Sequence, residues 1–258
     1  MKNGFTMAEV LITIGIIGVV AAMTFPSIIA RYQEKVTVTQ LKKAYSVLSQ
    51  AFQQMIFAEG PIDNWGDTDA RAKLFDDIAP KYFSILKSCG YDVPLSTDSC
   101  LKLKYKNRFN STDAAFSNVP YARYHLIDGL TFYIVMSGYC YQNISLSKHT
   151  PDSTDKQPIY HGSYNSQCGD IYVDLNSAKG PNVLDRDLFK FYLMTDGILP
   201  AGSSKEHIWT QTFENQCLGK QLHVTGGAQC TAWVLYNENM DYLHCDDLSW
   251  EGKSRCKK

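Results

Sequence analysis

The chain has 258 residues, a formal net charge of -1 and eight cysteines. That length can bury a substantial core, and a near-neutral balance with Lys and Asp interspersed provides no basic field to recruit nucleic acid. The cysteines (Cys89, Cys100, Cys140, Cys168, Cys217, Cys230, Cys245 and Cys256) all follow residue 88, without a CxxC pair or an HxxxH spacing. A disulfide set in an oxidising compartment is therefore expected, and a structural zinc site is not.

At the N-terminus one basic residue, Lys2, precedes Gly4-Phe5-Thr6-Met7-Ala8-Glu9, and residues 10–30 then carry no charge. As a helix that run is about 30 Å long, enough to cross a bilayer core, and Arg31 closes it. Lys2 favours a cytoplasmic N-terminus by the positive-inside rule. The chain then reads as a single-pass inner (cytoplasmic) membrane protein with its cysteine-bearing head outside the cytoplasm. Two plainer readings compete, a secretory signal peptide cut near Val20-Ala21-Ala22 and a simple signal anchor. Neither accounts for Glu9, because a carboxylate in an apolar segment costs about 3 kcal/mol and usually marks a function and a partner.

The stretch Gly4-Phe5-Thr6-Met7-Ala8-Glu9-Val10-Leu11-Ile12 resembles the signal of type IV pilins and of the pseudopilins of type II secretion. The resemblance implies cleavage after Gly4 by a prepilin peptidase/N-methyltransferase, N-methylation of the new terminal Phe5, and roles for Phe5 and Glu9 in assembly. Pro26 falls where pilins commonly carry a helix-loosening proline. Gly4 suits a cleavage site because a protease can approach a backbone that has no side chain. Cleavage before the apolar run leaves that run in the mature protein, first as anchor and then as filament core. The implied layout is a leader at 1–4, a membrane and filament-core helix at 5–30, an amphipathic continuation at 31–60 and a globular head at 61–258.

Beyond Arg31, Leu41, Ala44, Tyr45, Leu48, Ala51, Phe52, Met55 and Ile56 recur at three- and four-residue spacing, with Gln40, Lys42, Lys43, Ser46, Gln50, Gln53 and Gln54 opposite. This spacing predicts one amphipathic helix continuous with the span and stopped by Gly60-Pro61. From 5 to 59 it would be roughly 80 Å long.

In the head, residues 67–88 read as helical with a break at Pro80. Residues 121–127 and 130–137 read as strands around a two-residue Asp128-Gly129 hairpin turn. Further strands are expected at 171–175 and 188–195, followed by an Asp196-Gly197 turn, and a short helix within 228–244. The fold class expected is α+β and pilin-like, with the long N-terminal helix packed on an antiparallel sheet head stabilised by disulfides. Short loops close most readily, which favours sequential pairing: Cys89–Cys100, Cys140–Cys168, Cys217–Cys230 and Cys245–Cys256.

The segment 173–187 places Asp174, Asn176, Asn182, Asp185 and Asp187 on one loop. Calcium favours such oxygen-rich loops, yet the spacing is not that of an EF-hand, and a polar turn bonding its own backbone is the better reading. The Asn-Xaa-Ser/Thr patterns at Asn110 and Asn143 read as chance matches. No cofactor is expected.

The function expected is that of a structural subunit, a minor one given the large head, of a type IV pilus or a type II secretion pseudopilus. Its partners would be the peptidase, other pilin or pseudopilin subunits and an inner-membrane assembly platform. The alternative is a filament-tip binding head, for which Trp65, Trp209, Trp233 and Trp250 would have to form an exposed patch. An enzyme is not expected, since no GxSxG, HExxH or P-loop occurs.

Overall fold

In a computed structural model, the protein is described for residues 6–90, 105–109, 122–141, 167–177, 179–203, 212–220 and 228–257. Gly4, Phe5, Cys100, Asn110, Asn143 and Trp209 lie outside the described residues.

Helix α1 spans Met7–Glu59. It stops where expected: Gly60 takes φ 84°, a conformation that favours glycine, while its N–H closes the last bond to the Ile56 carbonyl at 2.9 Å. The Trp65 indole N–H then donates to the Gly60 carbonyl at 3.1 Å, securing the chain reversal. Helix α2, Thr68–Tyr82, is capped by Asp67, whose side chain accepts from the Ala70 N–H at 3.0 Å.

Six strands follow: β1 (Ile85–Ser88), β2 (Ala122–Leu126), β3 (Thr131–Tyr141), β4 (Gln167–Asp174), β5 (Leu188–Met194) and β6 (Gly197–Pro200). They pair antiparallel in chain order, β1 to β6. A short α3, Thr231–Asn237, lies within the stretch read as helical.

The core follows from two periodicities meeting. Along α1 the three- and four-residue spacing buries Val38, Leu41, Ala44, Leu48, Ala51, Phe52 and Met55. Along the strands the two-residue period turns Tyr124, Phe132, Ile134, Ile171, Val173, Phe189, Phe191 and Leu193 into the same cluster. Tyr45 stacks on Phe191 with ring centroids 5.8 Å apart, and Phe52 contacts both Phe75 of α2 and Phe83. Polar ties fix the second half of the helix. Lys42 pairs with Glu238, Lys43 with Asp128 at 2.9 Å, and the Gln53 amide donates to the Asp196 carbonyl at 2.9 Å.

The structure corrects three details of the sequence reading. The helix expected over 67–88 ends at Tyr82, and Ile85–Ser88 is a strand. Pro80 removes the N–H that would serve the Asp76 carbonyl, Phe83 turns extended, and residues 85–88 find their hydrogen bonds along β2 instead. The β2–β3 hairpin has a longer loop than a two-residue turn. The Gly129 N–H bonds the Leu126 carbonyl at 3.1 Å, the Leu126 N–H bonds the Leu130 carbonyl at 2.8 Å, and Gly129 has φ 87°. That is a turn over Ile127-Asp128 followed by a left-handed glycine, a common three-residue hairpin. Finally, Met194 pairs with Gly197, so the β5–β6 turn is Thr195-Asp196 and Gly197 opens a strand that was not foreseen.

Three of the four sequential disulfides are present: Cys140–Cys168 at the end of β3 and start of β4, Cys217–Cys230 ahead of α3, and Cys245–Cys256 near the C-terminus. Cys89 is disulfide-bonded as well.

Candidate functional site

The N-terminal half of α1 is the first candidate. Thr6 is its N-cap, and Glu9 stands three residues on. Glu9 Oε2 accepts from both the Thr6 N–H and the Thr6 hydroxyl at 2.8 Å, while the Glu9 N–H donates to Thr6 Oγ1 at 3.3 Å. This reciprocal capping box satisfies donors that a helix start leaves open.

From residue 10 to residue 30 the helix is exposed along nearly its whole surface. Its few polar side chains are turned inward to the backbone: Thr13 to the Val10 carbonyl, Thr24 to Val20 and Ser27 to Thr24, each at 2.9 Å. Hydroxyls satisfied in this way are compatible with lipid. The helix is continuous through Pro26, where the Ala22 carbonyl lacks its helical donor. Among the described residues it is the one helix long and apolar enough to cross a membrane.

The acidic loop is the second candidate, and its five oxygen-bearing side chains divide into two groups. Asp174 and Asp187 sit together, joined through Asn176. The Asn176 N–H donates to Asp174 at 3.0 Å, and its amide reaches Asp187 at 3.5 Å. Asp187 accepts the N–H groups of Asn182 and Val183 at 2.7 and 2.6 Å, so it closes its own loop. Asp185 points elsewhere. It is fully buried and accepts the N–H groups of Ala228 and Cys230 at 2.6 and 3.1 Å, tying the start of α3 to the sheet. Among the described residues no group of three His, Cys, Asp or Glu side chains is arranged to hold a metal ion. The bonds of Asn176 and Asp187 are those of a polar turn, and those of Asp185 are long-range.

A network absent from the sequence reading joins this loop to the outer face of the sheet. The Tyr105 hydroxyl donates to Asp174 at 2.5 Å and lies 2.5 Å from the Tyr133 hydroxyl, so Tyr133 is the donor between the two rings. Burial raises the Asp174 carboxyl to about 7; hydrogen bonds from Tyr105, Asn176 and Ser177 oppose the shift, and the charge of Asp187 reinforces it. Unfolded, an Asp titrates near 3.9. The folded state therefore holds the extra proton between roughly pH 4 and 7, and this group's stabilising contribution falls as pH rises through that window. Asp185 and Asp187 shift in the same direction, also through burial. An Asp174→Asn variant keeps an acceptor for the two backbone donors but does not titrate. In thermal unfolding of the detergent-solubilised protein, its stability relative to wild type is expected to improve between pH 5 and pH 8, by about 3 kcal/mol at most. A difference that stays constant with pH would contradict the assignment.

Aromatic residues offer no outward platform at three of the tryptophans: Trp65, Trp233 and Trp250 are each 5% exposed or less. Trp233 stacks on Phe213 at 4.1 Å and contacts Trp250 at 5.1 Å, forming the core beneath α3.

Comparison with known proteins bears on the N-terminus. Residues 1–25 match the family model described as the prokaryotic N-terminal methylation motif, the signature of type IV pilins and pseudopilins. The motif implies processing by prepilin peptidase and assembly with other pilin subunits. Neither the curated proteins nor the solved structures compared with the chain gave a match. The motif ends within the exposed half of α1, and the head lies wholly beyond it.

Proposed function

We propose that the chain is a structural subunit, and a minor one, of a type IV pilus or a type II secretion pseudopilus. One observation carries the reading. The methylation motif at residues 1–25 stands at the head of an uncharged, exposed helix that runs without interruption into a disulfide-bonded α+β head. An anchored subunit needs the apolar half in the membrane, and a filament needs the same surface for packing between subunits. Neither role requires the head to carry out covalent chemistry. The size of the head supports a minor rather than a major subunit.

Gly4→Leu tests the processing step. Because the peptidase needs close access to the backbone at the cut, the variant is expected to accumulate as full-length precursor in the membrane. Normal cleavage of Gly4→Leu would remove the pilin-type route from the account.

A further inference from the structure

Where α1 leaves its uncharged stretch, a groove of about 320 Å³ separates it from the loop before β5. Ala30, Tyr32 and Glu34 line it from the helix, and Gly180, Arg186 and Asp187 from the loop. The two acidic side chains are already engaged. Glu34 meets His244 Nε2 at 2.8 Å, and Asp187 accepts two backbone N–H groups.

The cations differ. Arg186 is exposed in the groove, Lys179 is exposed next to Gly180 at its edge, and Arg31 and Lys35 are exposed on the part of the helix surface that does not line the groove. Among the described residues no side-chain hydrogen bond or ion pair engages any of the four. Arg31 and Lys35 mark the charged edge of the apolar stretch beside the groove. Arg31 and Lys35 are like charges four apart on a helix, which costs a few tenths of a kcal/mol. They also flank the apolar stretch on the side opposite Lys2, where the positive-inside bias works against basic residues. Tyr32, 67% exposed beside them, suits the boundary between hydrocarbon and water.

We propose that this groove seats the phosphate headgroup of an anionic phospholipid from the membrane that holds α1, with Arg186 and Lys179 as its head-side contacts. The site holds the head at a fixed height and orientation on the membrane before assembly. It rests on the reading that residues 10–30 lie in a membrane. Juxtamembrane Lys and Arg each add about fivefold to the affinity for an anionic surface.

Full-length protein is reconstituted into vesicles of phosphatidylcholine mixed with phosphatidylglycerol, and the phosphatidylglycerol retained after mild detergent extraction is counted by native mass spectrometry. Wild type is expected to retain phosphatidylglycerol in preference to phosphatidylcholine. The Lys179→Glu/Arg186→Glu double variant is expected to lose that preference at least about tenfold, with unchanged disulfides and thermal unfolding. Equal retention by the variant overturns the proposal. So does loss that follows Arg31→Gln/Lys35→Gln but not the head variant, because the helix flank alone would then attract lipid. Displacement by millimolar inorganic phosphate would mark a small-anion site instead. Wild type that floats with the vesicles but shows no headgroup preference overturns the site alone. Wild type that fails to float overturns the membrane reading along with it.

Discussion

A Glu9→Gln subunit is expected to reach the membrane at the wild-type level and to be cleaved after Gly4, yet to enter filaments poorly. The apolar stretch that directs insertion is untouched by the change. The helix start also survives, because Gln serves as well as Glu at the third position of a capping box, so the contacts to Thr6 persist. What disappears is the charge. In the mature chain the amine of Phe5 would sit one turn before Glu9, and in a filament the amine of one subunit can meet the carboxylate of the next. Breaking a charge pair in such a water-free contact costs about 3–5 kcal/mol, which is more than roughly a hundredfold in association. Such a pair would act mainly on register, since desolvation offsets much of the attraction while a misaligned neighbour leaves a bare charge. Thr6→Ala separates the two roles: it removes the cap, at about 1 kcal/mol, and keeps the charge, so its assembly defect should be much the smaller. Normal filaments from Glu9→Gln protein, without wild-type subunits, would falsify the intersubunit role.

The second large effect is expected on reduction of the head. Cys217–Cys230 closes a separation of 13 residues between the π-helical turn Phe213–Cys217 and the start of α3, and both cysteines are fully buried. Cys140–Cys168 closes 28 residues between β3 and β4, and Cys245–Cys256 closes 11 near the C-terminus. Cross-links over loops of this size each stabilise by about 3 kcal/mol, mainly by restricting the unfolded chain. The Arg108 guanidinium donates to the Cys217 carbonyl, and the Cys230 N–H donates to the Asp185 carboxylate, so the central bridge anchors several long-range contacts. Protein made under reducing conditions should therefore unfold at markedly lower temperature than oxidised protein. Cys217→Ser/Cys230→Ser alone should account for about 3 kcal/mol of the loss. Equal stability in both redox states would mean that the thiols are free.

The parts legible in the sequence are those set by local pattern. The buried stripe of α1 follows directly from the spacing of Leu41, Ala44, Leu48, Ala51, Phe52 and Met55, and the stop at Gly60 from the residue type. Long-range pairing overrides local pattern at Ile85–Ser88, which continues a helical spacing but joins β2. It also creates β6, a four-residue strand ending in Pro200 that local propensity gives little reason to expect. The acidic loop shows the same limit at a candidate site. Asp174, Asp185 and Asp187 look equivalent along the chain, yet Asp185 serves backbone N–H groups 43 and 45 residues away, and Asp174 faces a tyrosine 69 residues earlier. The N-terminal motif is contiguous in the chain, within residues 1–25, and so it can be recognised from the sequence directly.

The central claim is that this chain is processed and assembled as a pilin-type subunit, and the intact mass of the membrane-extracted protein, with N-terminal sequencing, tests it most directly. The mature chain is expected to begin at Phe5 and to carry one methyl group on its terminal amine. A chain that begins at Met23, or one that keeps residues 1–4, would contradict it.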